Sequence, residues 1–111
     1  AFNFYCYAIS NENECLVCSM FFVKILKDEG INYNDFVFTP TEQLLIDYGT
    51  AIVKDSHNVP AALFTQLHAQ FSDEEIILLT TFATQMIATN AINSILHVNL
   101  DNYLDSYKGG F

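Results

Sequence analysis

The residues with the clearest chemical potential are two cysteines, Cys15 and Cys18, in the stretch NENECLVCSMFF (residues 11–22). Two residues between cysteines let the two sulfur atoms meet in a disulfide with little movement of the backbone. Such a pair supports thiol–disulfide chemistry, or supplies two of the four ligands of a structural zinc ion. A third interpretation is two small residues in an apolar core, because buried cysteine without a disulfide is common.

The zinc interpretation lacks ligands. The three histidines, His57, His68 and His97, lie far apart in the sequence, and none has the second ligand a few residues away that zinc signatures contain. A single Cys-x-x-Cys leaves two of four positions unfilled. We therefore expect neither a bound metal nor a cofactor.

The redox interpretation depends on the electrostatics around the pair. Asn13 is a candidate N-cap, which would place Cys15 and Cys18 in the first turns of a helix, where backbone N–H groups and the helix dipole favour a thiolate. Glu12 and Glu14 oppose this effect by like-charge repulsion, although either carboxylate could also assist proton transfer. The apolar residues after the pair disfavour a thiolate too. These local features leave the redox and the structural interpretations equally open.

Helix signals dominate the elements that must position this pair. Thr39 is a predicted N-cap, with Pro40 at the first helical position and Glu42 three residues after the cap. Ser72 and Glu75 repeat this capping-box spacing in FSDEEIILL. Both patterns are followed by apolar residues at helical spacing, so we predict helices that begin near Thr39 and Ser72.

Two further helices are predicted to begin near Asn13 and Asn58, and Gly30 is predicted to end the helix that carries the cysteines. The aromatic-rich stretch AFNFYCYAIS (residues 1–10) has the composition of a strand, but the chain offers it no partner strand. We therefore predict that it is the end of a helix and that Cys6 is a core residue. The predicted fold class is all-α.

The length of 111 residues predicts a single domain, residues 1–111. The chain begins at Ala1 inside an apolar run, so we expect that a preceding segment is missing. Hydrophobic residues make up 51% of the chain and charged residues 15%. A small monomer does not easily hide so much apolar surface, so a homo-oligomer is expected.

The charge balance excludes some partners. Four lysines, no arginine and thirteen acidic residues give a net charge of −9, which would repel the phosphates of a nucleic acid. Three cysteines are too few for a disulfide scaffold, so a reducing, cytoplasmic location is expected. The uncharged run 76–100 is long enough to cross a bilayer. Because 10 of its 25 residues are Thr, Gln, Asn, Ser or His, we predict no membrane span and instead a helix buried on most sides, within the chain or between subunits.

The order of these signals resembles the carboxymuconolactone decarboxylase family, in its alkylhydroperoxidase-D-like branch. The resemblance covers nearly the whole chain and is carried by NECLVC, FTPTEQLLIDYG, VPAALF and HAQFSDEEIILLT, closing on NAINSIL. It implies a helical domain that forms oligomers, often trimers or hexamers. In redox-active members the cysteine pair reduces peroxides and a thiol partner re-reduces it. This analogy makes Cys18 the attacking thiol and Cys15 the resolving thiol.

The chain departs from this family where proton transfer is concerned. The resemblance implies a Glu twelve residues before the first cysteine and a His four residues after the second, but these positions hold Asn3 and Phe22. An Arg expected after the second Asn of NAIN is replaced by Ser94. Loss of a positioned proton-transfer group typically lowers a rate by roughly 10²–10⁴-fold. Glu12 and Glu14 are possible substitutes.

The sequence therefore predicts a thiol-dependent antioxidant protein that reduces peroxides or disulfides slowly, with a small-molecule substrate and a thiol reductant as partners. The alternative is a non-catalytic binding or structural oligomer that kept the fold and lost the chemistry. The family's lactone decarboxylase activity fits less well, because that branch works without the cysteine pair.

Overall fold

The computed structural model describes residues 2–13 and 16–96, and all regular structure within them is helical. Five helices follow one another along the chain: α1 Phe2–Glu12, α2 Leu16–Asp28, α3 Pro40–Lys54, α4 Ala61–Gln70 and α5 Asp73–Ile95. The all-α prediction is confirmed for this part of the chain. The stretch at residues 1–10, with its strand-like composition, contributes α1, as predicted.

Two helices begin with the predicted capping boxes. The Thr39 hydroxyl accepts a hydrogen bond from the Glu42 N–H at 3.2 Å, and the Glu42 carboxylate accepts one from the Thr39 N–H at 2.8 Å. Ser72 and Glu75 form the same pair of bonds at 3.2 and 2.9 Å. Hydrogen bonds from the Ser72 backbone and hydroxyl lower the pKa of Glu75. Reciprocal bonds of this kind satisfy donors that a helix start would otherwise leave unpaired.

The described parts of the other two helices begin three residues after Asn13 and Asn58. The helix that carries Cys18 begins at Leu16, whereas the Asn13 N–H donates to the Ile9 carbonyl at 3.0 Å and so belongs to the end of α1. Similarly, α4 begins at Ala61, with Pro60 as its N-cap and no side-chain capping bond.

Asn58, the predicted start of α4, is held in the preceding turn instead. Its side-chain amide donates to the Asp55 carboxylate at 2.7 Å. Asn and Asp favour turns and helix caps for the same reason, because their short side chains bond to nearby polar groups. The residue types alone therefore do not separate the two outcomes.

Gly30 ends α2, as predicted. Its φ angle is 77°, in the left-handed region that glycine adopts without steric penalty. The Gly30 N–H donates to the Lys27 carbonyl and the Ile31 N–H donates to the Leu26 carbonyl, both at 2.9 Å. This is the Schellman arrangement, which satisfies the last carbonyls of the helix.

Helix α1 lies at the centre of the fold, and residues 4–10 are all buried. It packs against α2, α3 and α5. This position explains the aromatic, strand-like composition of the segment, because a helix that is covered all round has no polar face. Gly49 of α3 allows close approach to α1: a Cβ there would lie 3.0 Å from the Ile9 side chain and 3.1 Å from the Tyr5 ring.

Two apolar clusters meet at α1. The first joins α1 to α3, α4 and α5, and its fully buried members include Tyr5, Ile9, Tyr48, Leu67 and Ala83. The second joins α1 to α2 and to the loop before α3, and includes Phe4, Tyr7, Val23 and Leu26, with Tyr33 and Phe38 packed on it. Opposite faces of one helix thus carry both halves of the core.

Helix α5 is buried along one face only. Ile76, Ala83 and Asn90, spaced seven residues apart, are its buried residues. The prediction that this helix is buried on most sides does not hold within the single chain, because large apolar side chains are exposed on its other faces: Ile77, Leu78, Ile92, Ile95 and Leu96. By length and composition α5 could also cross a membrane, a property that helices of soluble proteins share, so it is weak evidence for a span.

Candidate thiol site

Cys18 is the third residue of α2, and only 9% of it is exposed. This agrees with the predicted position in the first turn of a helix, where backbone N–H groups lack partners within the helix. Its predicted partner Cys15 and the possible helper Glu14 lie outside the described residues.

The side-chain amide of Asn93 donates a hydrogen bond to the sulfur of Cys18 at an Nδ2–Sγ distance of 3.1 Å. The contact joins the last turn of α5 to the first turn of α2, across 75 positions of sequence. A hydrogen bond donated to sulfur stabilises the thiolate more than the thiol, because the negative charge is the stronger acceptor. Asn93 therefore provides a neutral donor where the predicted attacking atom lies.

Asn93 was not among the residues predicted to form the site. The only sequence signal near it is the NAINSIL stretch, which contributed to the family resemblance without assigning a role to either Asn. A contact over so many positions leaves no local pattern, since neither periodicity nor capping signals report which helices meet.

A second amide lies one helical turn before Asn93. Asn90 is 1% exposed, and neither Nδ2 nor Oδ1 has a hydrogen-bond partner within the described part of the chain. The buried hydroxyl of Ser10 in α1 is unpartnered in the same sense. Buried polar groups are nearly always paired, so each such atom marks a place where a water or a ligand would be stabilised.

Cys6 is separate from this chemistry. It lies within α1 at 1% exposure, which confirms the prediction of a core residue. Burial raises the pKa of its thiol from 9.0 to about 12, so it is protonated at neutral pH. Because the thiolate is the reactive form, Cys6 is not a nucleophile under those conditions.

The residues at the predicted relay positions do not supply a base. Phe22, one turn after Cys18, is partly buried against the second apolar cluster and packs edge-on to Phe21 at a centroid distance of 5.3 Å. Asn3 is partly exposed on α1. Glu12, a possible helper, occupies the last position of α1 and is partly exposed.

The histidines lie elsewhere. His57 is exposed in the turn after α3, and His68 of α4 places Nδ1 3.2 Å from a carboxylate oxygen of Asp73. His97 lies outside the described residues. Among the residues that the structure describes, no group of three or more His, Cys, Asp or Glu side chains is placed to hold a metal ion.

Comparisons with protein-family models, with curated proteins and with solved structures find no match to this chain. The resemblance to the carboxymuconolactone decarboxylase family therefore stays a prediction from the sequence.

Proposed function

We propose that this chain is a thiol-dependent antioxidant protein of the alkylhydroperoxidase-D-like branch of the carboxymuconolactone decarboxylase family, with Cys15 and Cys18 as its redox pair. The observation that supports this most directly is the hydrogen bond from Asn93 to the sulfur of Cys18. A core cysteine needs no such donor, whereas a nucleophilic sulfur benefits from one, because the bond favours the reactive thiolate.

The proposed reaction balances with a hydroperoxide and a thiol reductant. The Cys18 thiolate attacks the terminal oxygen of the hydroperoxide, an S–O bond forms, the O–O bond breaks, and the leaving alkoxide takes a proton from water. The Cys15 thiol then displaces water from the resulting sulfenic acid and forms the disulfide. An external dithiol or two monothiols reduce that disulfide and restore both thiols.

The reaction is expected to be slow. Phe22 occupies the place of a general base beside Cys18, and His57 and His68 lie in or after other helices. With Phe22 at that position, the rate depends on the fraction of Cys18 that is ionised, which a hydrogen bond from the Asn93 amide favours without transferring a proton.

The oligomer and the cytoplasmic location belong to the same proposal. The exposed apolar residues of α5, Ile77 and Leu78 near its start and Ile92 and Ile95 near its end, extend along the uncharged part of this helix, residues 76–95. A second copy covering them would remove that surface from water, and light scattering should then give a mass above 12.6 kDa. A trimer or hexamer is the expected assembly from the family resemblance.

The test compares peroxide consumption by the parent protein, Cys18→Ser, Cys15→Ser, Phe22→His and the double variant Phe22→His with Asn3→Glu. We expect the parent to exceed Cys18→Ser, and the double variant to gain roughly tenfold or more, because a base one turn from the thiol can take its proton. A parent that does not exceed Cys18→Ser would contradict the proposal.

A non-catalytic binding protein is the second candidate, and an apolar groove favours it. The groove has a volume of about 380 Å³ and lies between the start of α1 and the first turns of α5, lined by Phe2, Phe71, Glu75, Leu78, Leu79 and Phe82. It contains neither described cysteine. If Cys18→Ser leaves every peroxide and disulfide assay unchanged, this candidate replaces the first.

A further inference from the structure

Asn90 carries a buried amide that has no role in the proposed reaction as described above. Its exposure is 1%, and both of its polar atoms are without a partner in the described residues. An amide left unpaired in the interior is destabilising relative to one that is bonded. A leucine of similar shape would avoid that penalty, so the packing of α5 alone does not account for an asparagine here.

The position of Asn90 relates it to the thiol. Asn90 and Asn93 are three residues apart on α5, so their Cβ atoms lie about 5–6 Å from one another on neighbouring turns. Asn93 donates its hydrogen bond to the sulfur of Cys18 from the same side of α5. The buried residues Ala83 and Asn90, seven apart, show that the same face of the helix is turned toward the protein interior.

We propose that Asn90 binds and orients the hydroperoxide that Cys18 attacks, a role that rests on the proposed peroxide reduction. A carboxamide has both an acceptor oxygen and N–H donors, and the –O–O–H group has a donor hydrogen and two acceptor oxygens. Asn90 Oδ1 accepts the hydrogen bond of the terminal O–H, and Nδ2 donates to the oxygen that leaves as alkoxide. Asn93 acts differently, as a positioning residue that holds the thiolate.

The chemistry of the site favours a neutral hydroperoxide over a charged oxidant. The chain has a net charge of −9 and no arginine, so nothing comparable to a guanidinium clamp is available for an anion. A neutral amide donor is suited to the charge that develops on the leaving oxygen only as the O–O bond breaks.

The test separates binding of peroxide from reactivity of the thiol. The parent, Asn90→Leu, the neighbouring exposed variant Thr89→Val and Cys18→Ser are each reacted with hydrogen peroxide and, separately, with iodoacetamide at pH 7. All four proteins carry Cys15→Ser, so that Cys15 does not convert the sulfenic acid to a disulfide, and sulfenic acid formation and alkylation at Cys18 are measured by mass spectrometry. We expect Asn90→Leu to slow the peroxide reaction by about tenfold or more, as loss of a donor to a leaving oxygen does. Its alkylation rate and those of Thr89→Val should match the parent, and its stability in urea should equal or exceed that of the parent.

Each other outcome contradicts either the proposed function or the role of Asn90. If the parent reacts with peroxide no faster than Cys18→Ser, the proposed function fails and this inference fails with it. If the parent reacts and Asn90→Leu reacts equally fast, only the role of Asn90 fails. An equal loss in both reactions would show that Asn90 acts on the thiolate and not on the peroxide. Should Asn90→Leu not fold, Asn90→Ala takes its place, and failure of both to fold would assign Asn90 a structural role.

Discussion

Replacement of Asn93 gives the most direct test of the thiol site, because it removes a hydrogen-bond donor to the Cys18 sulfur without altering the cysteine. The perturbation is Asn93→Leu, which keeps the approximate shape of the side chain, in a Cys15→Ser background that prevents disulfide formation. Asn93→Asp is the stronger perturbation, since it replaces the donor with a carboxylate of the same size. Ser94→Ala, at the exposed neighbouring position, is the control.

The magnitude follows from the 3.1 Å bond between Asn93 Nδ2 and Cys18 Sγ. Hydrogen bonds to charged groups contribute about 1.5–3 kcal/mol, and sulfur is a weak acceptor, so we take about 1.4 kcal/mol, equivalent to a tenfold change in the thiolate fraction. A more basic thiolate is also a better nucleophile, so the reactivity of each thiolate rises by roughly threefold and offsets part of the tenfold loss in thiolate fraction. Alkylation of Asn93→Leu should therefore be about threefold slower than that of the parent. Asn93→Asp should be at least about tenfold slower, because two negative charges would then meet.

The assay is the rate of alkylation of Cys18 by iodoacetamide at pH 7, resolved by mass spectrometry of the peptide that contains it. Folding of each variant is checked by circular dichroism, since a loosened α5 would expose the thiol and raise the rate. If folded Asn93→Leu and Asn93→Asp both react at the parent rate, the Asn93 amide does not stabilise the thiolate. The hydrogen bond from Asn93 to Cys18 would then no longer support the proposed function.

Three further predictions concern the core around the site. Gly49→Ala should lower the free energy of unfolding in urea by about 1 kcal/mol, because crowding against Ile9 and Tyr5 outweighs the gain in helix propensity; a more stable variant would contradict this. Tyr5→Phe removes the 2.8 Å bond from the hydroxyl to the Leu79 carbonyl and should lower stability by about 1 kcal/mol, or the Tm by roughly 4 °C; an unchanged Tm would show that the bond adds nothing. Cys6 should resist alkylation at pH 8 in the native protein and react in urea, and rapid native reaction would refute its burial. The pKa of Cys6 is raised from 9.0 to about 12 in the folded protein, so the unfolded state loses this proton at a lower pH. The free energy of unfolding should therefore fall as the pH rises through that interval.

The sequence predicted the elements whose signals are local. The capping boxes at Thr39 and Ser72 and the helix end at Gly30 each involve residues within five positions, so residue type and spacing determine them. The start of α4 was displaced because Asn58 serves a turn as readily as a helix cap. Asn13 completes α1, and residues 14 and 15, which precede α2, lie outside the described residues.

The part of the site that sequence reasoning missed is long-range. No local signal relates Asn93 to Cys18, and the missing Glu and His drew attention to what the site lacks, not to the donor that it has. The exposure of the outward faces of α5 within the single chain was not predicted, because an uncharged run gives no amphipathic contrast. The helix could be covered by this chain or by another one, and composition is the same in both cases.

The placement of α5 connects the core to the chemistry. Its first half is tied to the core through two tyrosines, as the Tyr5 hydroxyl donates to the Leu79 carbonyl and the Tyr48 and Thr80 hydroxyls share a 2.5 Å hydrogen bond. Its last turns, which carry Asn93, include large apolar residues that remain exposed. A donor is useful to a thiolate only while it stays within hydrogen-bond reach. If a second copy covers those apolar residues, assembly would also hold Asn93 against Cys18, so that oligomer formation and thiol reactivity depend on the same helix.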